Sequence, residues 1–496
     1  MRVGDDAQTK EGVSVGTLRS EGSAADLTSS DEGYHKDLGN RQVQMIAIGG
    51  AIGVGLFLGA GGRLKEIGPA LILAYLTCGL AAFFVMRALG ELVVHRPSSG
   101  SFVTYSKEFI GPWAGFVAGW TFWVNWAFTG VAELTAIGIY IHKWLPDMPQ
   151  WVSALVALAI VCAVNMISVK LFGELEFWFA IIKVLAITTF LVVGTWLVVS
   201  HAEIGNGFAG PQNLFTGGGV WSDFFPLGFG IALLSLQAVI FAYNGVEMVG
   251  IAAGEAKDPK RIIPKAVNSV AWRIALFYCG SVLLLVMILP WTAYGPTESP
   301  FVLVFSQLGV PAAGDIMNLV VITAAFSSVN SGLYSTGRIL RSMAADRQAP
   351  AFTAKVSSRG VPAGGIALTA IIYVFGVILN YLVPSKAFDI AIAVAGLGTI
   401  ITWSSFLVAH IAMRRKVARG ELEAPKFRMP WAPWSNYLTL AFLLLVVVLL
   451  GFSHDIAGKV AFYSIPLVAA ALAIGWYAVR KRSSEVAVGG PPTTGR

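Results

Sequence analysis

The sequence predicts an all-α membrane protein of twelve transmembrane helices, and three observations predict it. Of the 496 residues 56% are hydrophobic and 13% charged, too little polar surface to solvate a globule of that size, so the solvent of the chain is largely lipid. Apolar runs of about 20 residues, the helical length that crosses a hydrocarbon core about 30 Å thick, recur along the chain. These runs are continuous and do not alternate with the period of two that a membrane barrel requires.

Polar punctuation between the runs places spans near 43–64, 68–90, 113–142, 150–169, 176–199 and 226–254, then near 270–292, 312–337, 361–381, 387–412, 433–452 and 456–479. An even number puts both termini on one side, and the distribution of Lys and Arg selects that side. With the N-terminus inside, the cytoplasmic segments hold 29 of the 35 basic residues, including Lys257, Lys260, Arg261 and Lys265 after span six and Arg414 to Arg428 after span ten. The long outer loops 200–225 and 293–311 hold none. The net charge of +7 is therefore topological and supports no nucleic-acid partner.

Residues 1–40 are polar, lack the apolar core of a signal peptide and read as a disordered cytoplasmic tail. Residues 481–496 read the same way, leaving a membrane domain at 41–480. Cys78, Cys162 and Cys279 fall inside apolar spans, so neither a disulfide framework nor a metal site is expected. The six histidines, His410 among them, sit in tails, loops or span ends.

Two spans are interrupted. Span one reads Gly49-Gly50-Ala51-Ile52-Gly53-Val54-Gly55, and each glycine weakens a helix by about 0.5–1 kcal/mol relative to alanine. Span six reads Phe241-Ala242-Tyr243-Asn244-Gly245-Val246-Glu247. Unwound backbone survives at bilayer depth only where protein or a water-filled cavity satisfies it, so both breaks should face inward. An opened helix offers N–H groups at the start of its second half and C=O groups at the end of its first. A zwitterionic α-amino acid is the simplest ligand complementary to both. Gly49 with Gly53, and Gly55 with Gly59, also suit close helix packing without unwinding. Recurrence of the break five spans later favours a binding site between two repeats, spans one to five (43–199) and six to ten (226–412), with extra helices over 433–479.

The motifs GGAIGVGLFLGAG at 49, RALGELVVHRPSSGSFVTYSKEF at 87, FAYNGVEMVGIAAGEAKDPKRIIPKAVNSV at 241 and SGLYSTGRILRSMA at 331 resemble those of the bacterial amino acid permeases of the amino acid-polyamine-cation superfamily. The segments GYHK at 33, RQVQMIAIGG at 41, NMISVKLFGELEFW at 165 and PKFRMPW at 425 are most similar to the branch that carries L-asparagine. The resemblance implies a five-plus-five inverted repeat with two extra C-terminal helices in the cytoplasmic membrane, importing a neutral amino acid with the proton as coupling ion and no other cofactor. Serine, alanine, glycine and γ-aminobutyrate are the alternative substrates. It also implies that the substrate carboxylate meets the backbone amides of Ile52, Gly53, Val54 and Gly55, and the ammonium the carbonyls near Ala51, Phe241 and Ala242.

A charge at the bilayer centre costs about 2.5–3.5 kcal/mol, so each is a functional candidate by default. Asn125, Thr129 and Glu133 lie at helical spacing on one face of span three, with Glu133 able to take a proton or to touch substrate. Glu247 in the second break could accept from freed amides of either break as a latch, carry a proton, or be purely structural. Lys183, two turns into span five, could snorkel to the interface. Relatives that use sodium place span-eight hydroxyls near the corresponding position, and there Lys183 would occupy the cation's place and exchange a proton. Span eight supplies Ser327, Ser328, Asn330, Ser331 and Tyr334, with Asn330 the favoured member. Asn125, Thr129, Tyr243, Asn244 and Asn330 are thus expected about the substrate, and Lys183, Glu133 and Glu247 in coupling.

A channel would need a symmetric filter or charged ring, which does not recur here. An intramembrane enzyme would need an activated nucleophile at depth, and Ser98 to Ser101 fall in a cytoplasmic loop. A receptor that binds without transporting would use the same residues.

Overall fold

In the computed structural model of the chain, residues 52–98, 100–167, 169–215, 219–248, 250, 259–357 and 360–488 are described. The expected tail at 1–40 and the first half of span one, Ala51 included, lie outside the described residues, as do the last residues of span six.

The second half of span one consists of α1 (Val54–Phe57) and α2 (Gly59–Ile67), bent at Leu58. Gly68, at φ 56°, turns the chain, and Pro69 opens a short 3-10 turn into α3 (Leu71–His95). Next comes α4 (Ser101–Phe109), which the hydropathy pattern did not announce because nine residues cannot cross a bilayer. Its Phe102 packs between Phe122 and Phe406, each 4.9 Å away between ring centroids. The long helices α5 (Pro112–His142), α6 (Gln150–Ile167) and α7 (Val169–Val199) follow. Pro112 sits at the first turn of α5, where its missing N–H costs nothing.

A small hairpin of β1 (Glu203–Ile204) and β2 (Gly207–Phe208) pairs Glu203 with Phe208 and Ile204 with Gly207. Beyond α8 (Val220–Phe224), the expected sixth span appears as two short helices, α9 (Phe229–Leu234) and α10 (Leu236–Phe241), with turns from Ala242 to Glu247. Span seven begins earlier than its apolar run, with α11 (Pro259–Arg273). It continues through a π segment, Ile274–Gly280, into α12 (Ser281–Ile288). The first turns of α11 carry Lys260, Arg261 and Lys265, which hid them from a hydropathy reading.

The remaining helices are α13 (Pro300–Ser306), α14 (Ala313–Ala345), α15 (Ala363–Leu382), α16 (Pro384–Ala418), α17 (Trp434–Leu450) and α18 (Ile456–Val488). α18 runs past the expected boundary at 480, because nothing in the sequence stops a helix before Gly489-Gly490-Pro491. Nine helical stretches among the described residues are long and apolar enough to cross a membrane.

α5 packs along α16 and α14 at the centre, with α6 and α15 beside it and α7 behind α14. The periphery is apolar: Leu185, Trp196, Phe375, Leu467 and Ile474 are each more than 60% exposed. In water such a belt would be an aggregation surface, whereas against lipid it is the required one.

Candidate functional site

The two interruptions meet. Gly53 is extended (φ −136°, ψ −166°) just before α1, so the Val54 and Gly55 N–H groups stand in the first turn of that helix, where amides have no acceptor within the helix itself. In span six the backbone tightens to bonds three residues apart. Ala242 N–H donates to Val239 O at 3.0 Å, Tyr243 N–H to Ile240 O at 3.0 Å and Asn244 N–H to Phe241 O at 2.9 Å. Gly245 then takes φ 97°, a region that favours glycine. A Cβ on Gly55 would fall 2.6 Å from Ala242 Cα, and one on Gly53 would fall 3.0 Å from both Glu133 Oε1 and Ser328 Oγ. Glycine at these positions is what lets the breaks close on each other and on α5 and α14.

Between the breaks lies a cavity of about 10 Å³, lined by Gly53, Gly55, Trp126, Thr129, Glu133, Phe241, Ala242, Asn244 and Ser328. That is room for about one water, so a larger ligand enters only when these walls part.

One wall is a closed network of amides and hydroxyls. Asn125 Nδ2 donates to Asn244 Oδ1 at 2.9 Å, and Asn244 Nδ2 donates to Thr129 Oγ1 at 2.8 Å. Thr129 Oγ1 donates back to Asn125 O at 2.8 Å. The Thr399 hydroxyl of α16, with one proton to give, lies within reach of three acceptors: Asn125 Oδ1 at 3.3 Å, Asn244 Oδ1 at 3.2 Å and Ala395 O at 3.0 Å. Gly398 permits this approach, since a Cβ there would fall 2.7 Å from Asn125 Cβ.

The opposite wall is charged. Glu133 is buried, with the Ser328 hydroxyl and the Val54 amide donating toward its carboxylate. Its Oε2 has no hydrogen-bond partner among the described residues. Lys183 is fully buried, so it does not snorkel to the interface; Glu176 and Glu133 are its anionic neighbours. Ser327 Oγ donates to Glu176 Oε1 at 2.7 Å. The adjacent hydroxyls Ser327 and Ser328 thus serve the two carboxylates whose charges act on Lys183.

Glu247 is also fully buried. Gly245 N–H donates to its Oε2 at 3.2 Å, within its own break. The indole nitrogens of Trp126 and Trp403 lie near the carboxylate, and neither completes a hydrogen bond. The carboxylate is thus bonded within the second break, and its Oε1 has no hydrogen-bond partner among the described residues.

The amino acid permease family matches the chain over residues 42–487. The chain belongs to the amino acid permease family. This permease is 55% identical over 462 residues to the L-asparagine permease of Escherichia coli (strain K12), which covers 93% of this chain and 92% of the relative. The L-asparagine permease of Salmonella typhimurium (strain LT2) is 54% identical over 462 residues, with the same coverage. That of Streptomyces coelicolor is 53% identical over 461 residues, covering 92% of this chain and 93% of the relative. The permease is a multi-pass membrane transporter of amino acids and not an enzyme.

Within the permease the expected residues separate into those that converge and those that do not. Gly53, Gly55, Thr129, Glu133, Phe241, Ala242 and Asn244 line the cavity, and Asn125 completes its polar wall. Tyr243 turns away: its hydroxyl donates to Tyr75 O at 2.6 Å and its ring stacks on Tyr278 at 4.6 Å. Asn330 also points elsewhere, accepting from Asn165 Nδ2 at 2.8 Å, and Ser328 takes the place at the cavity. Trp126, Glu176 and Thr399 were not singled out from the sequence. Glu176 sits seven residues before Lys183, hence on the same helix face, a spacing that could have found it. Thr399 is one hydroxyl in an apolar run and carries no such signal.

Proposed function

We propose that this permease imports L-asparagine across the cytoplasmic membrane by proton symport with alternating access, both termini being cytoplasmic. The observation that carries this reading is the contact of Gly55 with Ala242 beside the Asn125–Asn244–Thr129–Thr399 network. The names of the relatives point to the same substrate.

When the breaks part, the substrate carboxylate meets the opened amides of Val54 and Gly55, with Ile52 and Gly53 beside them. The ammonium meets the carbonyls at Phe241 and Ala242 and at Ala51. The carboxamide goes to the wall. There every amide already has partners, so an apolar side chain that separates Asn125 from Asn244 gains nothing and leaves buried polar groups unpaired. A carboxamide carries both a donor and an acceptor and replaces those bonds one for one. The positive-inside bias of the loops supports the orientation.

For coupling, Lys183 between Glu133 and Glu176 provides buried groups that can exchange a proton. Glu133 also touches the cavity, so its charge state is linked to whether the site is filled. A central cavity of about 10 Å³ fits a cycle in which substrate binding opens the walls and then reseals them.

Competition of labelled L-asparagine uptake by unlabelled amino acids tests the substrate. Asparagine should compete best, with serine, alanine, glycine and γ-aminobutyrate weaker by tenfold or more, about 1.4 kcal/mol. Stronger competition by any of those four makes it the substrate instead.

A further inference from the structure

A second and larger cavity, 240 Å³, opens between the C-terminal end of α2, the α9–α10 segment, the start of α16 and the turn between α17 and α18. In the orientation proposed above these ends lie on the outer face. Its walls are charged. Arg63 Nη1 lies 2.5 Å from Glu66 Oε2 and its Nη2 lies 3.4 Å from Asp389 Oδ1, and Asp455 adds a third carboxylate.

Three features make this cleft more than a surface ion pair. It is roomy where the central cavity is closed, 240 Å³ against about 10 Å³, so in this state an amino acid fits here and not there. Arg63, with 17% of its side chain exposed, has five N–H donors and spends two bonds on its neighbours, one of them long. It can accept a ligand carboxylate without losing both. The floor is Gln237, 6% exposed, whose Nε2 donates to Ala393 O at 2.8 Å and ties α10 to α16. Four residues further along α10, about one helical turn, Phe241 lines the central cavity. Both cavities therefore take lining from span one and from α10, the outer one at Arg63 and Gln237 and the central one at Gly55 and Phe241.

We propose that the cleft between Arg63 and Asp389 is a second, outer binding site for a zwitterionic amino acid, with Arg63 on its carboxylate and Asp389 and Glu66 on its ammonium. The inference rests on the outward orientation and the substrate reading given above. The excess of carboxylates over Arg63 selects ligands bearing an ammonium and disfavours anionic acids. Occupied first, the site holds the substrate one helical turn above the closed centre.

The test is the stoichiometry of labelled L-asparagine bound to purified full-length permease in lipid nanodiscs. The wild type should bind two molecules. Arg63→Ala and Asp389→Asn should each bind one, as should Asn244→Ala, which removes a central contact. The isosteric Asp389→Asn covers the case in which Arg63→Ala does not fold. One molecule on the wild type, kept by Arg63→Ala and Asp389→Asn and lost by Asn244→Ala, overturns the outer site and leaves the central one standing. No binding to the wild type overturns the substrate reading and the outer site together.

Discussion

Gly55 and Ala242 touch at their backbones: a Cβ on Gly55 would lie 2.6 Å from the Ala242 Cα. The nearest atoms are backbone, which cannot swing aside for a methyl group, and the Phe241 ring stands 3.1 Å from the same point. Gly59, a turn further on, has its nearest neighbour at 3.8 Å from the same construction, which is ordinary contact.

Gly55→Ala should therefore force the breaks apart at an overpacking cost of about 1–3 kcal/mol, lowering substrate affinity about 5- to 150-fold. Gly59→Ala should leave uptake near the wild-type rate. Initial uptake rates at several substrate concentrations compare the two, and equal behaviour of the pair would mean that the close contact is not used.

Thr399→Val keeps the shape of the side chain and removes the hydroxyl that reaches both Asn125 Oδ1 and Asn244 Oδ1. Loss of such a buried bond costs about 1–3 kcal/mol. Asparagine should compete about tenfold less well, while serine and alanine, which make less use of the amide wall, change little. A uniform loss across all competitors would assign Thr399 to packing.

Lys183→Met removes the buried ammonium on which the charges of Glu176 and Glu133 act. Accumulation against a gradient should be abolished while exchange of internal for external substrate persists. Uptake and counterflow measured on the same preparation separate the two, and unchanged accumulation would remove Lys183 from coupling.

Away from the site, Glu91 and His410 are both fully buried, with Nε2 of His410 3.0 Å from Glu91 Oε2. The same carboxylate accepts from Met429 N–H at 2.6 Å and pairs with Arg414 at 3.2 Å, and Asn436 lies 3.0 Å from His410 Nδ1. This cluster joins α3, α16 and α17. Glu91→Leu should destabilise the protein by about 3–5 kcal/mol, because it leaves buried groups without their partner. Thermal unfolding in detergent reads the loss, and the double variant Glu91→Leu with His410→Leu should recover part of it.

Hydropathy and glycine placement made most of the helices, the extended Gly53 and the turns of span six legible, because lipid forces long apolar runs and penalises free backbone wherever it faces hydrocarbon. The same reading interrupted span six only at 241–247, whereas its described helical part also divides at Ser235 into α9 and α10. α4 and the start of α11 were not legible, being short or charged. Within the site, helical spacing put Asn125, Thr129 and Glu133 on one face, as the structure has them. Spacing alone could not tell which residues of neighbouring helices point at one another. So Asn330 turned to Asn165, Ser328 took the cavity and Tyr243 went to Tyr75. His410, placed at a span end by sequence, proved buried because Glu91 of α3 meets it there.

The central claim is transport of asparagine driven by protons. Labelled L-asparagine uptake into proteoliposomes, with the outside made acidic relative to the lumen or with no gradient, tests it most directly. Accumulation above the external concentration is expected under the inward proton gradient, and simple equilibration without it. Binding with no uptake under either condition, or uptake indifferent to the gradient, would contradict it.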